Sequence, residues 1–206
     1  NWGLEDFYAP PAAVANRWPF DRIEKTKLGM WFFLASDVLV FGAFISAAVF
    51  IRVNAGWRSW EALPASLPGL INTFVLLTSS FTVVLALVAS RRRHRKGLMA
   101  SIGATILLGL TFLAIKAWEW HHEIYDVGIT LTQNPHGPPV QATIYYVTTG
   151  LHGLHVIIGL IVATFLLVRA YQGYYLEDHR PVEYFGLYWH FVDIVWVFLF
   201  PLFYLF

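Results

Sequence analysis

The sequence feature that most constrains the fold is an uncharged run from Thr148 to Val168, TTGLHGLHVIIGLIVATFLLV. Its roughly twenty residues are long enough to cross a bilayer core of about 30 Å as a helix. His152 and His155 stand in this run at a spacing that places both imidazoles on one helical face. Imidazoles facing lipid would leave ring nitrogens without partners, so this face must be covered by protein. The run therefore predicts a buried membrane helix surrounded by other helices.

Four further apolar segments predict an all-α, polytopic membrane protein. The 206 residues are 57% hydrophobic and 13% charged, which is about half the charged fraction of a typical soluble domain. Together with the first run, these segments predict five transmembrane helices in one membrane domain over 28–206. Their bounds are about 28–51, 69–89, 98–118, 142–168 and 182–206. Residues 1–27 are polar and interrupted by prolines, and we expect this N-terminal segment to lie along the membrane surface.

The distribution of basic residues predicts the orientation. Of the 14 Lys and Arg residues, all but Arg52, Arg58 and Lys116 lie in the N-terminal segment, the second-to-third loop or the fourth-to-fifth loop. Cytoplasmic loops carry an excess of Lys and Arg. We therefore expect the N-terminus to be cytoplasmic and the C-terminus to be outside. Between two membrane spans, the run Arg91–Lys96 is interpreted as a topology signal, and no nucleic-acid partner is expected.

The third span ends in KAWEWHHEIYD, Lys116–Asp126, where charged and aromatic residues predict the bilayer boundary. Glu119, His121, His122 and Glu123 have the composition of a carboxylate–histidine metal site. Near the end of a helix, we favour a solvated boundary over a metal site. The chain has no cysteine, which excludes a disulfide framework, a thiolate metal site and a cysteine nucleophile.

Three ionisable groups lie deep in predicted spans. A carboxylate inside a span costs several kcal/mol unless it is paired or functional. At about 1.5 Å per residue, Asp37, His155 and Asp193 reach similar depths. We therefore predict that Asp37 and His155 are neighbours in a hydrogen-bonded cluster, in which Asp37 keeps its proton or pairs with a protonated His155. His190 shares a helical face with Asp193, and both are expected to be structural hydrogen-bonding groups.

Two blocks of sequence carry a resemblance to a known family. TTGLHGLHVIIG (Thr148–Gly159) and YWHFVDIVW (Tyr188–Trp196) resemble subunit III of the haem–copper oxidases, the cytochrome c and quinol oxidase family. One departure is Ser36–Asp37, where the family usually carries Ser-Glu, so the carboxylate stands one methylene nearer the backbone. Three more positions resemble charged residues of the family: Glu119, Arg169 and Glu183.

The resemblance implies a non-catalytic chain without haem, copper or another metal. Such a chain would pack beside the catalytic subunit I and subunit II of a terminal oxidase, hold phospholipid and support proton uptake. The candidate buried polar, proton-related residues are Asp37, His152, His155, Glu183, His190 and Asp193. The candidate lipid-binding residues are Arg169, Arg91, Arg92 and Arg93, since a guanidinium at the end of a span can bind phosphate. Five-helix forms belong to bacterial oxidases, which favours a bacterial plasma membrane over the mitochondrial inner membrane.

The histidines agree with a chain that binds no metal itself. A haem–copper catalytic subunit needs about six histidine ligands, and this chain has too few within its spans. His152 and His155 share a face and cannot flank a haem. We expect both rings to be hydrogen-bonded to a neighbouring helix rather than to a metal.

Two other functions stay open at this stage. The first is an accessory subunit of a nitric oxide reductase, which shares this fold family. The second is a small proton-conducting membrane protein lined by Asp37, His155 and Asp193. A transporter of that kind should show an internal repeat, and none is evident between the halves. The sequence leaves open whether the electron donor is cytochrome c or quinol.

Overall fold

The described part of the chain forms a bundle of five long helices. The computed structural model describes residues 25–55, 66–135, 137–176 and 178–205. These residues contain no β-strand, and each of the five helices is long and apolar enough to cross a membrane. The predicted all-α, five-span architecture is therefore confirmed. The helices are α1 (Lys25–Ala55), α2 (Ser66–Arg91), α3 (Arg95–His122), α4 (Pro139–Tyr171) and α5 (Arg180–Phe200).

The helices extend beyond the predicted spans. α1 begins three residues before the predicted start at residue 28, and residues 1–24 of the predicted surface segment lie outside the described residues. α3 continues past the predicted end at residue 118 and is followed by a π-helical turn, Glu123–Val127. A second π-helical turn, Pro201–Leu205, follows α5. Both π turns lie at the same end of the bundle, which we call the Glu123 end; the opposite end is the Arg91 end.

Helices α2 to α5 form the body of the bundle, and α1 packs on one side of it. α2 contacts α3 and α5, α4 contacts α3 and α5, and α1 contacts α4 and α5. The turn between α2 and α3 is short, with Arg93 in the left-handed region at φ 54°. A short connection of this kind makes α2 and α3 antiparallel neighbours.

Glycines allow α4 and α5 to approach closely. A Cβ atom at Gly159 would lie 2.6 Å from Cζ3 of Trp189, and one at Gly109 on α3 would lie 2.8 Å from Leu160. Small residues have this role in membrane helix packing, because lipid supplies no hydrophobic driving force between helices. Trp189 is fully buried between these surfaces.

The polar side of α2 accepts hydrogen bonds from tryptophans of α5. Nε1 of Trp189 donates to Oγ of Ser79 at 2.9 Å, and Nε1 of Trp196 donates to Oγ1 of Thr73 at 3.1 Å. Interhelical hydrogen bonds of this type contribute about 0.6 kcal/mol on average in membrane proteins. They also fix the rotation of α5 relative to α2.

A single face of α1 is buried against the bundle. Leu34, Asp37, Phe41 and Ala48 are buried, and their spacing of three, four and seven residues follows one seam of a helix. The opposite face carries exposed apolar residues such as Leu39, as expected of a surface that faces lipid. The seam places the Asp37 carboxyl inside the protein.

Candidate functional site

The first buried polar contact joins α1 to α4. Oδ2 of Asp37 lies 3.7 Å from Nε2 of His155, and the two side chains are 13% and 12% exposed. This distance is within the range of an ion pair but too long for a direct hydrogen bond. The prediction that Asp37 and His155 are neighbours is confirmed.

The His155 ring limits where the protons of this pair can lie. Nδ1 of His155 is 2.8 Å from the carbonyl oxygen of Leu151. Because a carbonyl oxygen only accepts, Nδ1 carries a proton and donates it. Nε2 faces the Asp37 carboxyl across the 3.7 Å gap and forms no direct hydrogen bond with it.

His152 lies in an aromatic enclosure. Its ring is fully buried, and neither nitrogen has a hydrogen-bond partner within the described part of the chain. The rings of Phe41, Phe112 and Trp196 surround it at centroid distances of 6.5, 5.7 and 5.3 Å. The expectation of a hydrogen-bonding neighbour is therefore wrong for His152, because α1, α3 and α5 present aromatic rings to it. The predicted shared face is present, since Phe41 also contacts the His155 ring.

His190 contacts α2, whereas Asp193 is buried without a hydrogen bond among the described residues. Oγ of Ser80 forms a short hydrogen bond with Nδ1 of the half-buried His190. Asp193 is 3% exposed, and neither of its carboxyl oxygens has a hydrogen-bond partner within the described part of the chain. The expectation of a structural hydrogen-bonding group is therefore met by His190 and is wrong for Asp193, which also does not join the Asp37–His155 pair.

The largest buried polar group lies at the Glu123 end of the bundle. We call it the Lys116 cluster. Nζ of Lys116 donates to Oε1 of Glu119 at 3.0 Å and to the Tyr145 hydroxyl at 2.9 Å, and it forms a short hydrogen bond with the Tyr204 hydroxyl. Its members come from α3, from the π turn after α3, from α4 and from the π turn after α5. They are Lys116, Glu119, Glu123, Tyr145, Tyr146 and Tyr204.

This cluster corrects the prediction of a solvated boundary. The exposed fractions of Lys116, Glu119 and Glu123 are 6%, 0% and 0%. The boundary interpretation fails because α3 extends beyond residue 118 and the final π turn covers it. It holds for His121 and His122, which are exposed. Lys116, Glu119 and Glu123 follow an i, i+3, i+7 spacing, which places the three charged groups on one helical face. This spacing was the sequence feature from which their burial could have been predicted.

Glu183 is half-buried at the Arg91 end, so the prediction of a buried group is wrong. Oε1 of Glu183 lies 2.9 Å from Nζ of Lys27, and its Oε2 lies 3.7 Å from Nη2 of Arg91. The Glu183 side chain is 24% exposed. These ion pairs connect the start of α5 to the start of α1 and the end of α2. Surface ion pairs contribute about 0–1 kcal/mol each, so their main effect is on the register of the three helix ends.

Arg169 lines an apolar groove. Its guanidinium carbon lies 4.1 Å from the Tyr174 ring centroid and 5.7 Å from that of Phe165. The groove has a volume of about 570 Å³ and runs between α1, α4 and α5, with Met30, Phe33 and Val162 among its lining residues. The predicted lipid-binding residues Arg91, Arg92 and Arg93 are exposed, and Arg91 is engaged by Glu183.

Metal ligands are not grouped in the described residues. No three His, Cys, Asp or Glu side chains within 25–55, 66–135, 137–176 and 178–205 stand close enough together to hold a metal ion. The polar groups of the site are instead arranged as pairs and as one closed cluster. They can hold and exchange protons and can connect helices.

Sequence comparisons match this architecture to one family. The family model described as cytochrome c oxidase subunit III matches residues 21–206. The cytochrome c oxidase subunit 3 of Alkalihalophilus pseudofirmus is 36% identical over 181 residues, which cover 86% of this chain and 85% of the relative. The chain belongs to the cytochrome c oxidase subunit III family. The subunit 3 of Bacillus subtilis is 33% identical over 180 residues, with 86% of this chain and 84% of the relative covered.

A fused relative is also similar. The haem–copper oxidase subunit I+III of Aeropyrum pernix is 38% identical over 199 residues, which cover 92% of this subunit III chain and 24% of the fused protein. This chain therefore spans about a quarter of that relative. Its bacterial relatives and its five apolar helices make it a multi-pass bacterial membrane protein.

The two sequence blocks that resemble subunit III meet in the structure. The block Thr148–Gly159 lies on α4 and the block Tyr188–Trp196 lies on α5. Trp189 packs on Gly159, and the hydroxyl of Tyr188 donates to the carbonyl oxygen of His155 at 2.8 Å. In this subunit III chain, the two blocks thus form the close contact between α4 and α5 beside the Asp37–His155 pair.

Proposed function

We propose that the chain is the non-catalytic subunit III of a terminal haem–copper oxidase that reduces oxygen to water and pumps protons. The observation that carries this proposal is the family match over residues 21–206. Haem and copper belong to the partner subunits in this proposal, and this chain stabilises the catalytic subunit. The relatives named above give no support to the nitric oxide reductase or proton-channel alternatives.

Subunit I is the proposed direct partner, and subunit II completes the complex. The name of the Aeropyrum pernix relative joins subunits I and III in one protein. Fusion in one relative favours physical association of the corresponding separate chains in another. The lipid-facing surfaces of α1 and α2 expose many large apolar side chains, which suits a chain surrounded by lipid and by other membrane subunits.

Phospholipid is the proposed ligand of the Arg169 groove. The groove is apolar along its length and carries a guanidinium at the Arg91 end. Acyl chains fit such a groove, and a guanidinium binds phosphate with two parallel hydrogen bonds. The basic residues Arg91, Arg92 and Arg93 add positive charge at the same end of the bundle, where anionic headgroups would lie.

The Asp37–His155 pair is the proposed contribution to proton uptake. The proposal is supported by the position of the two groups, which face each other at 3.7 Å at the seam between α1 and α4. The excess of basic residues at the Arg91 end supports an orientation with this end in the cytoplasm and the C-terminus outside. Protons would then reach the pair from the side on which oxidases take them up.

Purification of the intact complex tests the proposal. This chain, carrying an affinity tag, is purified from its native membrane in mild detergent, and an unrelated tagged multi-pass protein serves as the control. We expect co-purified large subunits, haem absorbance and oxygen consumption sensitive to cyanide. A preparation that contains no haem protein, or one whose haem protein reduces nitric oxide and not oxygen, would contradict the proposal.

A further inference from the structure

The Lys116 cluster contains two carboxyl groups and one amino group. Glu119 and Glu123 are fully buried, and Lys116 is the buried cation of the cluster, with its Nζ bonded to Glu119. Two ionised carboxylates and one ammonium would leave a net negative charge inside the membrane domain. A buried uncompensated charge costs several kcal/mol. One of the two carboxyls should therefore be a neutral acid.

The hydrogen bonds identify Glu119 as the ionised member. Lys116 uses its three N–H groups on Glu119 and on the hydroxyls of Tyr145 and Tyr204. Tyr204 has one hydroxyl hydrogen, and it donates this hydrogen to Oε1 of Glu119. Oε1 thus accepts from an ammonium and from a phenol, and the Tyr145 hydroxyl approaches the same oxygen at 2.9 Å. An oxygen with these two donors is stabilised as an anion.

The remaining hydrogens leave Glu123 with a proton of its own. The Tyr145 hydroxyl lies 2.9 Å from Oε1 of Glu119 and 3.1 Å from Oε1 of Glu123, so its single hydrogen is shared between the two carboxyl groups. The Tyr146 hydroxyl donates its single hydrogen to the carbonyl oxygen of Ile129 at 2.9 Å. Oε2 of Glu123 lies 3.4 Å from the Tyr146 oxygen. Because Tyr146 has no second hydrogen, this long contact is a hydrogen bond only when Glu123 donates.

We propose that Glu123 is a proton-exchange site, a buried carboxylic acid that exchanges its proton with water through the Tyr146 hydroxyl. The groups that face it are Lys116 and Glu119 from α3, Tyr145 and Tyr146 from α4, and Tyr204 from the π turn after α5. This site is separate from the Asp37–His155 pair and lies at the opposite end of the bundle from Glu183.

The structure provides a short route to the surface. Tyr146 lines a cavity of about 410 Å³ together with Thr130, Leu131 and Thr132 of the loop that follows α3. In this transfer, the Tyr146 hydroxyl turns its hydrogen from the carbonyl oxygen of Ile129 to a water molecule in the cavity. That proton leaves to the water while the proton of Glu123 moves to the Tyr146 oxygen, so the phenol stays neutral and Glu123 becomes an anion. The proton returns by the reverse transfers. The π turn that begins at Glu123 positions the carboxyl beside this route, and π turns are frequent at functional sites.

Infrared spectroscopy of the purified complex tests the site. We expect a carbonyl band of a neutral carboxylic acid that is present in the wild type, absent in Glu123→Gln and retained in Asp126→Asn. Asp126 lies three residues further along the same turn and is exposed, so Asp126→Asn is the matched control. In D₂O the band should shift to lower frequency. The proposal would be overturned if Glu123→Gln lost no carboxylic-acid band relative to Asp126→Asn, or if the band lost in Glu123→Gln stayed unshifted in the wild type after equilibration in D₂O.

Two further variants test the protonation state and the route. Glutamine reproduces the hydrogen bonds of a neutral acid, so the melting temperature of Glu123→Gln should lie within about a degree of that of Asp126→Asn. The melting temperature of Glu119→Gln should be several degrees lower, because this change removes the charged partner of Lys116. The reverse order would show that Glu123 is the anion. Tyr146→Phe should keep the band and slow its shift in D₂O at least tenfold. Exchange at the wild-type rate would exclude the Tyr146 route.

Discussion

The contact between Gly159 and Trp189 gives the sharpest test of the packing. In Gly159→Ala, the new methyl group would lie 2.6 and 2.8 Å from two ring carbons of Trp189 and 3.2 Å from a ring carbon of Tyr188. Ordinary carbon contacts are about 3.5–4.0 Å. The methyl group therefore needs a movement of about 1 Å between α4 and α5. Trp189 has little room to move, because it is fully buried and its Nε1 is bonded to Ser79.

The expected cost follows from overpacking. Inserting a methylene-sized group into a well-packed core costs typically about 1–3 kcal/mol. Alanine favours the helical conformation by about 1 kcal/mol relative to glycine, which offsets part of this cost. At Gly153, on the same helix, a Cβ atom would meet nothing within 4 Å. Gly153→Ala should therefore keep the full gain in helix propensity, and the two variants should differ by about 1–3 kcal/mol.

Unfolding of the purified chain in mixed micelles measures this difference. Titration with sodium dodecyl sulfate, followed by tryptophan fluorescence, gives the free energy of unfolding of each variant. We expect Gly159→Ala to unfold at a lower detergent fraction than Gly153→Ala. Equal midpoints, or a more stable Gly159→Ala, would refute the close approach of α4 and α5.

The same assay and lipid analysis test two other groups. Asp37→Ala should destabilise the chain by about 0.5–3 kcal/mol, because it removes a buried side chain that packs α1 against His155 of α4. It should also shorten the active lifetime of the oxidase with the haem spectrum unchanged. Asp37→Asn should cost less if the Asp37 carboxyl is protonated. Native mass spectrometry should show less retained phospholipid in Arg169→Ala than in Arg92→Ala, because Arg169 lies at the groove. Equal lipid retention would count against the groove as the lipid site.

Much of the fold follows from hydropathy and spacing. The apolar segments predict five helices because the bilayer requires about twenty apolar residues per span. Residue counting along helices also gives Asp37 and His155 similar depths, since a fixed rise per residue converts sequence position into depth. Both predictions depend on the regular geometry of a single helix, which is independent of contacts with other segments. The contact between α1 and α4 is the tertiary element that depth and charge suggested correctly.

The full Lys116 cluster could not be predicted from hydropathy and spacing. Lys116, Glu119 and Glu123 stand among tryptophans and histidines near a helix end, a composition that is typical of a membrane boundary. Their burial depends on Tyr204, which is 85 residues from Glu119 in the sequence and is brought to it by the π turn after α5. Similarly, nothing local to His152 indicates that three other helices enclose it with aromatic rings. Both features depend on contacts between distant segments.

The most direct test of a non-catalytic subunit III is the haem and metal content of this chain after separation from the oxidase. The complex is purified and dissociated in stronger detergent, and haem, copper and zinc are measured in each separated subunit. We expect haem and copper to stay with the partner subunits and no stoichiometric metal to remain with this chain. One haem or one copper bound per copy of this chain would contradict the proposed role.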